Sequence, residues 1–248
     1  MAVALLTKIR LAFRSKDVCA FPGCCQRLTS DEDPQEPKVI GEAAHICGEH
    51  LGSARYDDTM TDDERNCFLN LIYLCPTHHR LIDKEIAGYS VQALRDMKEK
   101  HESSAHKAVL DGMEDVGFRE LEIATNAFAA SPPSEENDDF RVIPPEDKIR
   151  KNDLSNHSTV TIRMGLALSA EVSRFLETIT RDDPDFPERL KSGFLEEYFR
   201  LRKLGIKGDD LFDLMCRFSQ RGLSDQSKKS AGLAVLMYLF EQCEVFEK

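Results

Sequence analysis

No apolar run in this 248-residue chain approaches the ~20 residues needed to cross a bilayer. The longest, residues 231–240, reaches about half that length and suits a buried helix. Residues 1–14 mix basic and apolar types without a clear cleavage site, so they do not read as a signal peptide, and a cytoplasmic protein is expected. An excess of positive charge is missing too. The formal net charge is −11, which argues against a nucleic-acid footprint spread over the whole chain. The acidity is uneven: Lys/Arg against Asp/Glu is 14 to 17 in residues 1–110, 5 to 12 in 111–160, and 14 to 15 in 161–248. An acidic enzyme can still bind DNA through a local basic patch and metal ions, with weak unaided affinity. No internal repeat occurs. With 31% charged and 41% hydrophobic residues, the composition is that of an ordinary globular protein of one large or two modest domains.

Cysteine is plentiful, but with no secretory signal disulfides explain it poorly. Six of the eight cysteines, Cys19, Cys24, Cys25, Cys47, Cys67 and Cys75, fall in the first third, among His45, His50, His78 and His79. Metal binding explains that clustering better. Cys19-x4-Cys24 and Cys75-x2-His78 are two ligand pairs of suitable spacing for one tetrahedral zinc site. Pro22-Gly23 gives the first pair a tight turn. One ion would clip together the ends of a long intervening stretch, which stabilises a small, loop-rich unit. Cys25 competes as a ligand, but it reads as a packing residue, as do Cys47 and Cys67.

The local pattern predicts an undecided strand or helix at 8–13, an exposed loop at 29–37, strand-like ends at 39–46, and a long ordered loop at 47–63. An apolar run follows at 69–74, then a short helix from Thr77 and a second one, capped by Ser90, to about His106. Residues 129–139 are small, acidic and proline-containing, and read as a linker. Beyond them, residues 160–162 suit a short extended piece, and apolar periods of three and four predict helices ending in a closing core helix at 231–245. The expected organisation is therefore 1–110, a connecting region 111–157, and a helical interaction domain 158–248.

Cleaving a phosphodiester requires a water activated near neutral pH and a cation to hold charge on the leaving oxygen. His45 is the candidate general base, since imidazole titrates near neutrality. Adjacent side chains at the start of a helix diverge by about 100°. His78 can therefore face the zinc while His79 faces a separate cleft as ligand to a catalytic divalent ion, Mg²⁺ by default. Asn70 could fix the loop or orient His45 through its amide. Arg55 and Arg80 are candidate phosphate contacts.

Cys-x4-Cys, Ala43-Ala44-His45-Ile46, the run from Asn70 through Cys75-Pro76-x-His78-His79-Arg80 to Asp83, and the downstream Leu94-Arg95-x-Met97-Lys98-x-x-His101-Glu102 occur in that order. Together they resemble the HNH nuclease family over residues 15–105. The resemblance implies a ββα-metal unit inside an α+β protein. It also implies a base at His45, a metal ligand at His79, a structural role for Asn70, and products with 5′-phosphate and 3′-hydroxyl ends. Many members carry Asp or His immediately before the base as a second metal ligand. Here Ala44 stands there, with Glu42 and Asp83 as candidate substitutes.

No catalytic constellation follows residue 106. Three later stretches, Ile143-Pro144-Pro145-x-x-Lys148-Ile149-x-x-Asn152, Gly205-Ile206-x-Gly208-Asp209-x-x-Phe212 and Phe240-Glu241-x-Cys243-Glu244-Val245-Phe246, resemble the C-terminal domain of ABC-three-component systems, the Lamassu-type antiphage assemblies. That resemblance implies docking onto a companion middle protein and an SMC-like ABC ATPase. The leading expectation is a DNA-cleaving effector regulated by those partners, with no membrane role and homo-oligomerisation left open. The competing readings are a stand-alone restriction endonuclease and a catalytically silent zinc module used only for binding.

Overall fold

The computed structural model describes residues 3–30, 38–113, 115–129, 144–242 and 245–246. The protein is mixed α/β, mostly helical, and divides into two compact units, 1–107 and 108–248. Most of the two stretches read as loop and linker, 31–37 and 130–139, lies outside the described residues.

The first unit opens with helix α1 (Leu5–Arg14), which settles the undecided segment as helical. Strands β1 (Thr29–Ser30) and β2 (Lys38–Val39) form one antiparallel pair, and β3 (Glu42–His45) and β4 (Leu71–Leu74) form another. In the second pair Glu42 opposes Leu74 and His45 opposes Leu71. Every residue of β4 is buried, because α1 packs on it together with the helix that follows. A strand covered on both faces needs an unbroken apolar run, and Leu71-Ile72-Tyr73-Leu74 supplies one. Gly41, ahead of β3, has a steric cause: a Cβ there would lie 2.3 Å from the Tyr73 ring.

Between β3 and β4 lie a long loop, the short helix α2 (Asp62–Arg65) and a 3₁₀ turn, Phe68–Asn70. A capping box starts α2: Glu64 N–H donates to the Thr61 hydroxyl while the Glu64 carboxylate accepts from Thr61 N–H. Helix α3 (Pro76–Lys84) leaves β4 directly. Pro76 sits in its first turn, where the missing N–H costs nothing. Helix α4 (Val91–Met113) starts at Ser90, whose hydroxyl accepts from Ala93 N–H, and runs past its expected end.

The described part of the second unit is helical: α5 (Phe118–Asn126), α6 (Pro145–Lys151), α7 (Asn156–Leu166), α8 (Ser169–Ile179), α9 (Phe186–Lys203), α10 (Gly208–Ser219) and α11 (Gln226–Glu241). Helix α11 is apolar on nearly every face and is enclosed by α5, α7, α8 and α10. Two sequence expectations shift here. Residues 160–162, read as extended, lie inside α7: Ile162 is wholly buried and Gly165 abuts Met237 of α11, so packing overrides the local β-branched preference. Part of the stretch read as a connecting region forms α5 and α6. Leu121, Ala124 and Phe128 of that stretch are buried, and Lys148 donates from Nζ to the Phe240 carbonyl at 2.8 Å.

Close approach to α11 makes Gly232 sensitive, since a Cβ there would lie 1.9 Å from the Ser219 carbonyl oxygen. Gly232→Ala is expected to destabilise the second unit by about 1–3 kcal/mol, read as a lowered midpoint in urea unfolding followed by circular dichroism.

Candidate active site and metal centre

Two groups of side chains gather around the start of α3. The first contains Cys19, Cys24, Cys75 and His78, whose donor atoms all lie within 4.8 Å of one another. Cys19 and Cys24 flank a turn with Gly23 at φ +77°, a conformation glycine adopts freely. Cys24 N–H donates to Phe21 O, and Ala20 N–H donates to Tyr73 O, which moors this turn to β4. Cys75 is the N-cap of α3 and brings His78 one turn later. His78 Nδ1 lies 3.6 Å from Cys19 Sγ and 3.1 Å from Cys75 Sγ. A tetrahedral ion bound at ~2.3 Å by sulfur and ~2.05 Å by nitrogen sets such atoms roughly 3.6 Å apart, so the donor set and its spacing fit a metal ion.

The Phe21 ring stacks on the His78 imidazole at 3.9 Å and 4°, fixing its plane. Cys75 N–H points at Cys19 Sγ from 3.3 Å. Burial, opposed by backbone hydrogen bonds from Cys75 and Phe21, pushes the Cys19 thiol up to about 12. Cys25 is exposed and outside the group, so it is neither the competing ligand nor the packing residue expected; Cys47 is buried and Cys67 half-buried, and neither joins the group.

The second group centres on His79, the next residue of the same helix. His79 does not share the centre of His78. Its Nδ1–H donates to Glu42 Oε2 at 2.7 Å, and its Nε2 faces Asp83 Oδ2 at 3.4 Å. The other Asp83 oxygen accepts from Arg55 Nη2 at 2.7 Å. That same nitrogen lies 3.4 Å from the His45 carbonyl oxygen, so one guanidinium ties the end of β3 to the carboxylate on α3. Arg55 also donates to Ile46 O and Ile82 O, and its side chain is 3% exposed. The residue expected to meet phosphate is turned inward as a brace, whereas Arg80 is exposed on α3.

His45 ends β3 and is half-buried, with Nε2 3.3 Å from Asn66 Oδ1. Asn70 takes the first of its two expected roles. Its amide clasps the Cys47 peptide, accepting from N–H and donating to C=O at 2.9 Å each, and donates also to Arg65 O. It fixes the chain just after His45 and leaves the imidazole to Asn66.

Residues 19–86 match the family model described as HNH endonuclease. This segment is an HNH endonuclease domain. No curated protein matches the chain. The HNH domain makes the protein a hydrolase acting on nucleic acid. Such domains are metal-dependent, and the Cys19, Cys24, Cys75 and His78 group is one place in this HNH domain that could hold a metal.

Three contributors, Asn66, Arg65 and Phe21, escaped sequence reading, and one contact between residues already singled out did too. Asn66 and Arg65 carry no motif, since their roles depend on where α2 lies. Phe21 gave no signal beyond its place between two cysteines. The Glu42–His79 pair needs the packing of α3 on β3 to become visible.

Removing one thiol tests the clip. Cys75→Ala is expected to lose about one metal ion per chain in elemental analysis, since a structural site needs all four ligands. Unchanged metal content would overturn the ligand set.

Proposed function

We propose that the first unit cleaves DNA phosphodiester bonds, using His45 as general base and a divalent cation, Mg²⁺ by default, held by His79 and Asp83. The clip of Cys19, Cys24, Cys75 and His78 holds a structural Zn²⁺. One observation carries this reading: the neighbouring imidazoles 78 and 79 serve different chemistries, one facing thiols and the other carboxylates.

The residues suit a small hard cation. Two neighbouring ligands on an ion bound at ~2.1 Å stand about 3 Å apart, close to the 3.4 Å between His79 Nε2 and Asp83 Oδ2. Glu42 holds the opposite ring nitrogen, the arrangement by which carboxylates orient ligating histidines. Asp83 thus answers for the ligand that Ala44 cannot supply; Ala44 is wholly buried and faces the core. When bound, the cation supplies positive charge for the phosphate and its leaving oxygen. His45 takes the proton of the attacking water. Asn70 holds the Cys47 peptide and so fixes the main chain behind the base. Arg80 meets a phosphate from solvent.

The enzyme acts, in this proposal, as a cytoplasmic effector of an antiphage assembly, docked through its helical part onto a companion middle protein and an SMC-like ABC ATPase. The support is the resemblance of the three C-terminal stretches and an acidic composition that leaves unaided DNA affinity weak. Purified protein incubated with plasmid and Mg²⁺, alone and with any co-encoded ABC ATPase, tests the assignment. Cutting is expected with the partner and not without it; equal cutting in both arms removes the regulatory reading.

Within that assay, His45→Ala should slow cleavage by about 10²–10⁴-fold, the usual contribution of general-base catalysis. Glu42→Gln and Asp83→Asn should each raise the Mn²⁺ concentration that half-saturates the protein by about 10–100-fold, measured by manganese EPR without substrate.

A further inference from the structure

We infer that Asn66 is a positioning residue that sets the tautomer of His45, holding the proton on Nε2 and leaving the Nδ1 lone pair as the base. The inference rests on the proposal that His45 is the general base.

The orientation of the Asn66 amide is decided by its other end. Nδ2 donates to the Asp62 carbonyl at 2.9 Å, so Oδ1 is the atom turned to His45, 3.3 Å from Nε2. An amide oxygen only accepts. The ring nitrogen facing it must therefore carry a hydrogen, and in a neutral imidazole the remaining lone pair is on Nδ1.

Asn66 is held from several sides. It is the C-cap of α2, and its own N–H donates to Asp62 O. The capping box of Thr61 and Glu64 closes the other end of this helix. Next to Asn66, the buried Arg65 guanidinium donates to the carbonyls of Gly48, Asp57 and Met60 and lies 4.1 Å over the Tyr56 ring. The Arg65 carbonyl accepts from Asn70. The motif asparagine thus holds the peptide after the base and also the residue before Asn66, joining main-chain and side-chain positioning in one network.

The contact gains strength as reaction proceeds. When His45 takes a proton it becomes a cation, and a hydrogen bond from a charged donor is stronger than one from a neutral ring. The bond favours the transition state over the ground state, so its loss should fall on kcat and not on KM.

The experiment reads the tautomer and the rate separately. Two-bond ¹⁵N–¹H correlation spectra of histidine-labelled protein, with His45→Gln for assignment, should show His45 as the Nε2–H form in the wild type. Asn66→Ala should shift it toward a mixture and lower kcat roughly tenfold with KM unchanged. Asn66→Asp, which keeps an accepting oxygen, should restore the Nε2–H form and most of the rate. A wild-type His45 protonated on Nδ1 overturns the inference without any variant, so it stays testable if Asn66→Ala fails to fold. An Asn66→Ala enzyme of unchanged kcat, or an Asn66→Asp enzyme as slow as Asn66→Ala, also overturns it. Failure of the general-base reading would look different: His45→Ala would cut DNA at the wild-type rate whatever the tautomer.

Discussion

Two consecutive side chains on an α-helix leave its axis about 100° apart, and the first unit is arranged around that divergence at His78 and His79. One direction leads to a buried thiol group, the other to a partly exposed pair of carboxylates. The divergence needs a helix that begins at a fixed point. Cys75 supplies it as N-cap and Pro76 stiffens the first turn. A metal ion held by the thiol–imidazole group would then do more than hold loop ends together. By fixing His78 it would fix the rotation of α3 about its own axis, and with it the direction in which His79 and Asp83 point. The proposed structural and catalytic centres would then be coupled through a single turn of helix.

The loop between β3 and β4 has little core of its own and is held by polar side chains reaching main-chain groups. Arg55 takes the carbonyls of Ile46 and Ile82, Arg65 those of Gly48 and Met60, and Asn70 both groups of Cys47. Buried carbonyls without a partner are costly, and a forked guanidinium satisfies several at once. Arg55 even adopts φ +57°, in a region a bulky residue seldom visits, to aim its side chain inward. Cations that composition alone would assign to phosphate are spent on building the loop.

This accounts for what could be read from the chain. The thiol–imidazole group was legible because metal ligation restricts residue type and spacing together, and the turn at Pro22-Gly23 showed how Cys19 and Cys24 meet. The apolar run at 69–74 was legible as a run, but that its last four residues form a strand covered on both faces shows only in the fold. Asn66 was not, since its meaning arises only when α2 folds back beside His45. Residues 160–162 misled because three branched side chains prefer an extended backbone locally, while the decisive term is Ile162 buried within a helical unit.

The charge of the proposed catalytic face has its own consequence. Glu42 and Asp83 are each a little under half exposed, at 45% and 44%, so the surface where a phosphodiester must arrive already carries negative charge. The chain as a whole is acidic, and Arg55 is committed to Asp83 and three carbonyls. A phosphate approaching this face meets repulsion unless a divalent cation has first neutralised the carboxylate on α3. In the proposed mechanism the cation is then needed for substrate to bind and not only for the bond to break. Such a site discriminates between conditions by charge alone, because one ion governs both affinity and chemistry. That doubled dependence also fits an enzyme with little excess positive charge to hold DNA by itself: binding must be supplied by an ion, by a partner, or by both.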